Sequence, residues 1–209
     1  MLFFLFLLFT SSYCANYDFT NLKDAYISNV DCDACGIVEV DTAFGSVDPT
    51  ILSVGEIYYD LGISWLDIGF HDSVLAWDIS SLPTDATNCV GNLTLSTANG
   101  LDCPNEVGGY GGQLITLWEF ADFTESTLTW NNKPATGSQI SLGGSNSPYQ
   151  DGVRKVIKLP LGPYVQSKRA GGATTVYLQV HTTNNQDCKF ASKSHSSTSK
   201  RPTFSVTCS

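Results

Sequence analysis

Basic residues are scarce over most of this chain of 209 residues, in which charged side chains make up only 15%. Between residues 15 and 152, only Lys23 and Lys133 are basic against 19 Asp and Glu, so this segment carries a net charge of −17. Such an acidic chain is a poor candidate for nucleic-acid binding, which requires a basic surface. Because hydrophobic residues make up 42% of the chain, its composition also excludes a disordered protein.

Long apolar runs are also absent. The longest one, residues 1–9, is far shorter than the ~20 residues that a membrane span needs, so we expect no stable membrane anchor. The run matches the hydrophobic region of a secretory signal peptide, and small residues follow it. We predict a signal peptide over residues 1–14, with cleavage after Cys14 or, as a second choice, after Ala15. The protein is then secreted, and extracellular or attached to the cell surface.

The sequence has no convincing amphipathic helix, internal repeat or interdomain linker. Period-two alternation dominates instead, most clearly at 175–181 and 203–208, and clusters of glycine, serine and proline separate the alternating segments. This pattern predicts an all-β fold, an antiparallel sandwich or barrel, with a single domain over residues 16–209. Further strands are predicted at 25–30, 36–40, 51–54, 74–79, 113–119 and 153–159, and one short helix at 162–168.

The chain has seven cysteines, an odd number. Loss of Cys14 with the signal peptide leaves six, which in an oxidising compartment predict disulfides. Six cysteines allow 15 pairings, and proximity in sequence favours pairs of neighbours. The Cys-x-x-Cys spacing also matches redox and zinc motifs, but without a second such motif we disfavour both interpretations. The neighbouring pairs are Cys32–Cys35, Cys89–Cys103 and Cys188–Cys208.

One acceptor sequence for N-glycosylation occurs, at Asn92-Leu93-Thr94. Alternation places Asn92 and Thr94 on one face of a strand, and Leu93 and Leu95 on the other. A glycan on Asn92 would therefore point outward if the host glycosylates proteins. In a host that does not, Asn92 is an unmodified surface residue.

Several stretches carry a family resemblance because they occur together and in order. They are DAYI at 24–27, DTAFGSVDPTILSVG at 41–55, SVLAWDISSLP at 73–83, FTESTLTWNNKPATG at 123–137, FASK at 190–193 and RPTFSV at 201–206. The most specific piece is Glu-x-x-x-Thr-Trp-Asn-Asn-x-Pro at 125–134. Over nearly the whole mature chain, the sequence resembles the DNRLRE (disaggregatase-related) domains, classed as carbohydrate-binding module family 96.

This resemblance implies a secreted jelly-roll β-sandwich that binds polysaccharide and carries out no chemistry. It also implies an acidic polymer as one class of ligand and structural calcium as a cofactor, with Asp24 as a ligand. The chain departs from the family pattern at His71-Asp72, where relatives often carry a basic residue.

Acidic residues cluster near the start of the domain, at Asp31, Asp33, Asp41 and Asp48. Calcium prefers six to eight oxygen ligands from carboxylates and carbonyls. The spacing is not that of an EF-hand, because no closing glutamate is present. We predict structural calcium, with Asp24, Asp31 and Asp33 as candidate ligands.

The C-terminal segment has the opposite charge, since residues 153–209 contain nine Lys and Arg and one acid. Cationic groups suit carboxylate or sulfate sugars, although we favour the simpler interpretation that they balance the acidic segment. Aromatic rings offer a second route to sugars, and we expect Trp77, Trp118 and Trp130 in the core instead. The candidate carbohydrate-binding residues are Lys155, Lys158, Lys189 and Lys193, with Trp65 and Tyr110 as exposed platforms.

Motifs for catalysis are absent: the sequence has no Gly-x-Ser-x-Gly, His-Glu-x-x-His or phosphate loop. An acidic-sugar lyase stays open, because such enzymes need few residues. We predict a secreted, non-catalytic module for an acidic polysaccharide, with a cell-wall or matrix glycan as partner. The alternative is a structural or adhesive protein of an extracellular matrix or filament, which self-assembles through the same sandwich.

Overall fold

The structure is a computed structural model that describes residues 14–47, 49–60, 65–98, 115–142, 156–182 and 188–209. For residues 56, 58–60 and 65 it describes the backbone alone. The predicted signal peptide falls outside these ranges except for Cys14, which is an exposed free cysteine. No helix of the described part is long and apolar enough to cross a membrane.

The described residues form twelve β-strands and two α-helices. The helices are α1 (Phe44–Val47) and α2 (Gly162–Ala170). The strands are β1 (Ala15–Ser28), β2 (Asp31–Cys32), β3 (Ile37–Val38), β4 (Ile51–Asp60), β5 (Trp65–Asp78), β6 (Val90–Ser96), β7 (Ile115–Glu119), β8 (Gln139–Ile140), β9 (Val156–Pro160), β10 (Thr175–Thr182), β11 (Cys188–Ala191) and β12 (Thr203–Cys208).

Ten of these strands form one curled antiparallel sheet whose two parts pack face to face. Sheet A contains the first part of β1, followed by β12, β6 and β9. Sheet B contains β8, β7, β10, β5 and the second part of β1. At one end, β4 pairs with both β5 and β11, and a bridge between Thr97 and Phe190 leads back towards β6. The all-β antiparallel sandwich is therefore confirmed, while the jelly-roll connectivity stays a prediction.

The main core lies between the two sheets. Leu93 and Phe204 enter it from sheet A, and Leu75 and Leu178 enter it from sheet B, each no more than 1% exposed. Each such side chain stabilises the fold by roughly 1.5–3 kcal/mol through burial of apolar surface. Trp77 fills the centre, as the sequence predicts, and its ring packs edge-on against Phe204.

A second, smaller core covers the outer face of sheet B. Residues 120–137, which we call the cover segment, pass over this face and press three apolar side chains onto it. Strand alternation explains the arrangement, because alternate residues of β1 and β5 point away from the main core. The second core consists of Ala25, Ile27, Val74, Ala76, Phe120, Phe123 and Leu128.

Helix α2 confirms the short helix predicted at 162–168. Pro163 lies in its first turn, where the missing N–H is not needed for helical hydrogen bonding. A Cβ atom on Gly162 would lie 2.4 Å from the carbonyl oxygen of Cys89, so glycine allows this close approach. Two glycines, Gly171 and Gly172, follow the last helical residue.

The disulfides correct two of the three predicted pairs. Cys32–Cys35 is confirmed, but Cys89 pairs with Cys208 across 119 residues of sequence. The physical reason is sheet order, since β6 and β12 are neighbours and bring the start of one next to the end of the other. Cys188 is also disulfide-bonded, although not to Cys208. Cys103 lies outside the described residues.

Alternation of apolar and polar residues predicts the buried strands correctly. The predicted strand bounds differ from the structure mainly in polar segments. Thr175–Thr182 and Thr203–Cys208 agree with the predicted strands within one residue. In contrast, β1 begins ten residues before the predicted strand start at Ala25, because one face of its first part is exposed and polar. β5 likewise extends back to Trp65 through a mixed sequence with little apolar periodicity.

Candidate functional site

The outer face of sheet B carries polar side chains beyond the second core. Leu117, Leu178 and Val180 point into the main core, so their neighbours along β7 and β10 point outward. The strand register then places His181 opposite Thr116 and Gln179 opposite Trp118. Asp72 on β5 belongs to the same outward set, because Leu75 and Trp77 face the core.

The cover segment reaches this face through a turn that its own side chains stabilise. The side chain of Asn132 accepts a hydrogen bond from the N–H of Thr129 at 2.8 Å and donates one to the carbonyl of Thr127 at 2.7 Å. Asn131 donates to the carboxylate of Asp41 at 2.8 Å, which attaches the turn to the segment before α1. The Trp-Asn-Asn motif therefore has a structural role, and it fixes the position of Trp130.

A buried carboxylate organises the polar part of the site. Asp72 is 1% exposed, and its Oδ1 lies 2.7 Å from Nδ1 of His181. Its Oδ2 accepts a hydrogen bond from Nε2 of Gln179 at 2.6 Å, and Thr136 of the cover segment donates to Oε1 of Gln179 at 2.8 Å. Because both oxygens of Asp72 have donors, the carboxylate holds the imidazole and the amide in fixed orientations.

His181 presents one ring nitrogen to a ligand. With a proton on Nδ1 bound to Asp72, the neutral imidazole keeps its lone pair on Nε2. None of the described residues forms a hydrogen bond with this Nε2, and the side chain is 22% exposed. A hydroxyl group of a bound molecule can therefore hydrogen-bond to this nitrogen, which accepts in the neutral ring and donates in the protonated ring.

Aromatic rings extend the site away from His181. The ring of Phe70 packs edge-on against His181, with centroids 5.2 Å apart, and against Trp130, with centroids 5.3 Å apart. The ammonium group of Lys133 lies 4.4 Å from the centroid of the Trp130 ring, which is a cation–π contact. Among the residues that the structure describes, no carboxylate lies within ion-pair distance of Lys133.

These contacts form one connected group of side chains, partly exposed and partly buried, which we call the His181 cluster. Trp118 borders it, and its indole N–H donates to Oγ1 of Thr116 at 3.1 Å. Trp118 is half-buried on the outer face of sheet B and belongs to neither core, so its predicted place in the core is wrong. Trp130 is half-buried and packs against the second core. The His181 cluster consists of Phe70, Asp72, Trp118, Trp130, Lys133, Thr136, Gln179 and His181.

Such a surface has the chemistry of a sugar site. The exposed edge of the His181 ring can meet a hydroxyl group of a pyranose, and aromatic rings match its apolar C–H face. Asp72 and Gln179 are buried and serve to hold the imidazole in place. A cation that has no carboxylate partner suits a carboxylate or sulfate group on the sugar.

A second histidine has the partners of a catalytic triad but no access. Nδ1 of His71 lies 3.0 Å from Oγ of Ser53, and Nε2 lies 2.9 Å from Oε2 of Glu39. Ser53 is only 1% exposed, and Tyr26 and Phe44 pack beside the imidazole. No substrate carbonyl can reach that hydroxyl in this conformation, so the group stabilises the end of the sandwich.

The structure does not bring the predicted carbohydrate-binding lysines together. Lys158 is exposed on the outer face of sheet A, and Lys189 is exposed on β11. The Nζ atom of Lys193 lies 2.7 Å from Oε1 of Glu125 and 2.8 Å from the carbonyl oxygen of Leu22. Lys155 and Tyr110 lie outside the described residues, as does the side chain of Trp65.

Ion pairs connect the acidic and the basic parts of the chain. Besides the Lys193–Glu125 pair, Lys168 lies 2.5 Å from Glu119, and both of these side chains are about one third exposed. Arg169 instead donates to the carbonyl of Leu82 at 2.5 Å. These basic groups have structural partners, which agrees with the interpretation that we favoured from the sequence.

The predicted calcium ligands lie in different environments. Asp24 is 4% exposed, and its Oδ2 accepts hydrogen bonds from the N–H of Lys193 at 2.6 Å and from Asn21 at 3.0 Å. Burial raises the pKa of the Asp24 carboxyl to about 6. Asp31 and Asp33 are exposed around the Cys32–Cys35 turn. Within the described residues no three His, Cys, Asp or Glu side chains form a group that could hold a metal ion, and structural calcium stays a prediction.

Sequence reasoning missed the His181 cluster, although two signals pointed to it. Alternation along β10 places Gln179 and His181 together on a polar face. Lys133 is one of only two basic residues in the acidic segment, which marks it as unusual. The contact with Asp72 could not be read from the sequence, because it depends on the register between β5 and β10.

No protein-family model matches this chain, and no curated protein is similar enough to count as a relative.

Proposed function

We propose that this protein is a secreted carbohydrate-binding module whose ligand, an acidic polysaccharide, binds to the His181 cluster. The observation that carries the proposal is a surface from Lys133 through Trp130 and Phe70 to His181, whose ring is held from below by the buried side chain of Asp72. It offers a cation without a carboxylate partner among the described residues, aromatic rings and the exposed edge of an oriented imidazole within one patch.

Secretion is part of the proposal and is supported by two observations. The structure contains the Cys32–Cys35 and Cys89–Cys208 disulfides, which persist in oxidising compartments. The apolar residues 1–9 resemble a signal peptide.

Binding without catalysis is the simplest use of this site. Lys133 and His181 are held by cation–π, ring and carboxylate contacts that fix them in place. Fixed groups of this kind favour binding, because little conformational entropy is lost when the ligand arrives.

The alternative of a self-assembling matrix protein is less well supported. The terminal strand of sheet A, β9, carries Lys158 and Pro160, and such residues oppose pairing between sheet edges.

The test measures binding of neutral, carboxylated and sulfated polysaccharides on a glycan array, followed by titration calorimetry at two salt concentrations. Lys133→Ala should weaken binding of an acidic polysaccharide by about 5–20-fold, because a charge-assisted hydrogen bond contributes about 1–2 kcal/mol. Lys158→Ala is the matched control, since it removes an exposed lysine from the outer face of sheet A.

Two outcomes would contradict the proposal. One is the absence of binding to any polysaccharide on the array by folded protein. The other is an equal loss of affinity in the Lys133 and Lys158 variants, which would indicate non-specific attraction to positive charge. Thermal unfolding of each variant verifies that the fold is intact.

A further inference from the structure

The outer face of sheet A differs in chemistry from that of sheet B. It is formed by the outward residues of four neighbouring strands, and most of them are polar, with Val90, Val156 and Pro160 as the apolar exceptions. The face contains no aromatic side chain among the described residues. Its members include Asn16, Asp18, Asn92, Thr94, Ser96, Lys158, Thr203, Ser205 and Thr207.

Asn92 lies near the middle of this face. Its side chain is exposed, and its neighbours across the sheet are Ser205 on β12 and Pro160 on β9. Along β6 the outward neighbours are Val90 and Thr94. None of these four side chains is long enough to cover the amide group, so a sugar residue has room above it.

The acceptor sequence is complete, and its geometry decides when it can react. Leu93, between Asn92 and Thr94, is fully buried, and β6 is hydrogen-bonded to strands on both sides. A transferase that must hold the extended tripeptide cannot do so in the folded protein. Modification therefore has to precede the folding of β6, as it does for chains that enter a eukaryotic secretory pathway unfolded.

We propose that Asn92 carries an N-linked glycan that covers the outer face of sheet A, so that sheet B alone provides the ligand-binding face. In the transfer, Nδ2 of Asn92 forms a bond to C1 of an oligosaccharide that is linked to a lipid diphosphate. Nδ2 loses one proton, and the bond from C1 to the diphosphate oxygen breaks. The lipid diphosphate leaves with the bonding electron pair. The claim that sheet B alone provides the ligand-binding face rests on the proposed function, whereas the presence of a glycan on Asn92 does not.

The fold offers a position at which a second glycan can be added on the outer face of sheet B. Gln139 is exposed on β8 and pairs with Trp118, at the border of the His181 cluster. Gln139→Asn creates the acceptor sequence Asn-Ile-Ser with Ile140 and Ser141. Adding Ser141→Ala removes that acceptor sequence while the Gln139→Asn substitution stays in place.

The experiment expresses the full chain in a eukaryotic secretory host, as wild type, Asn92→Gln, Gln139→Asn and Gln139→Asn/Ser141→Ala. Intact mass before and after enzymatic removal of N-glycans reports occupancy. Calorimetry with the acidic polysaccharide that binds best on the array reports affinity, and circular dichroism reports folding.

We expect the wild type to carry a glycan at Asn92, and Asn92→Gln to lose it without loss of affinity. The Gln139→Asn variant should carry a second glycan and bind at least about tenfold more weakly, a loss of about 1.4 kcal/mol. Its affinity should return in the Ser141→Ala double variant and after glycan removal.

The results that would overturn the proposal differ from those that overturn the ligand site. An unmodified Asn92 in the folded, secreted wild type refutes the glycan. A large loss of affinity in folded Asn92→Gln, or unchanged affinity with a glycan at position 139, refutes the division between the two faces. If the wild type binds no polysaccharide, the proposed function fails, and the occupancy measured by mass still decides the modification.

Discussion

The buried carboxylate of Asp24 gives a prediction whose sign opposes the usual effect of removing a buried charge. Asp24→Asn should make the protein more stable at pH 7. Burial, the largest cause, raises the pKa of Asp24 in the folded protein from 3.8 to about 6, so the folded state binds a proton more tightly than the unfolded state. The carboxylate form therefore destabilises the fold at pH 7 relative to the neutral form. A shift of about two pKa units corresponds to about 3 kcal/mol as an upper bound.

The neutral asparagine imitates the protonated carboxyl group. Its carbonyl oxygen can still accept the N–H of Lys193, which lies 2.6 Å from Oδ2 in the native protein. Among the described residues, Oδ1 of Asp24 is a buried oxygen without a hydrogen-bond partner, so the wild-type carboxylate is only partly satisfied. We expect the free energy of unfolding at pH 7 to rise by about 1–3 kcal/mol.

Urea denaturation of the wild type and the variant between pH 4 and pH 8 measures this effect. The stability difference should be largest above pH 6 and should decrease as the pH falls from 6 towards 3.8. It should be small at pH 4, where Asp24 is protonated in the folded state and close to half protonated in the unfolded state. Asp31→Asn, which removes one exposed negative charge, is the matched control. The reasoning is refuted if Asp24→Asn destabilises the protein equally at pH 7 and pH 4, because the carboxylate would then have a stabilising structural role.

Two further predictions test the placement of β6 next to β12 in the sandwich. Replacing both Cys89 and Cys208 with serine should lower the free energy of unfolding by about 2–5 kcal/mol, because their disulfide closes a long loop. Urea denaturation measures this loss, and peptide mapping without reduction that recovers Cys89 joined to any residue other than Cys208 would contradict the fold. Gly91→Ala should destabilise by about 1–3 kcal/mol, because the new Cβ would lie 2.1 Å from the carbonyl oxygen of Ser205. An unchanged midpoint of thermal unfolding would show that β6 and β12 are not so close.

The sequence predicted those parts of the fold that depend on local alternation. In β10 and β12, one apolar face per strand was enough to identify both the strand and its buried side. The disulfide partner of Cys89 could not be found in this way, because it is set by the order of strands far apart in sequence. Proximity in sequence predicts Cys103 as the partner of Cys89, and this prediction is wrong.

The candidate site depends even more on contacts between residues that are far apart in sequence, which the sequence alone does not show. Lysines were predicted as sugar ligands from their concentration near the C-terminus, yet Lys193 is held by Glu125 from the acidic segment. Lys133 lies on the cover segment, where no periodicity indicates its surroundings. Only the register of β5 against β10 brings Asp72 to His181, and a register shift of one residue would have placed them on opposite faces.

The most direct test of the account follows the tryptophan indole N–H signals by NMR during titration with the acidic polysaccharide. The four tryptophans lie in different places, and Trp77 is buried between the sheets at 1% exposure. If the ligand binds to the His181 cluster, the signals of Trp118 and Trp130 shift with the saturation of binding, and the signal of Trp77 does not. Saturable binding that leaves both Trp118 and Trp130 unchanged would contradict the account, because the ligand would then lie on another surface.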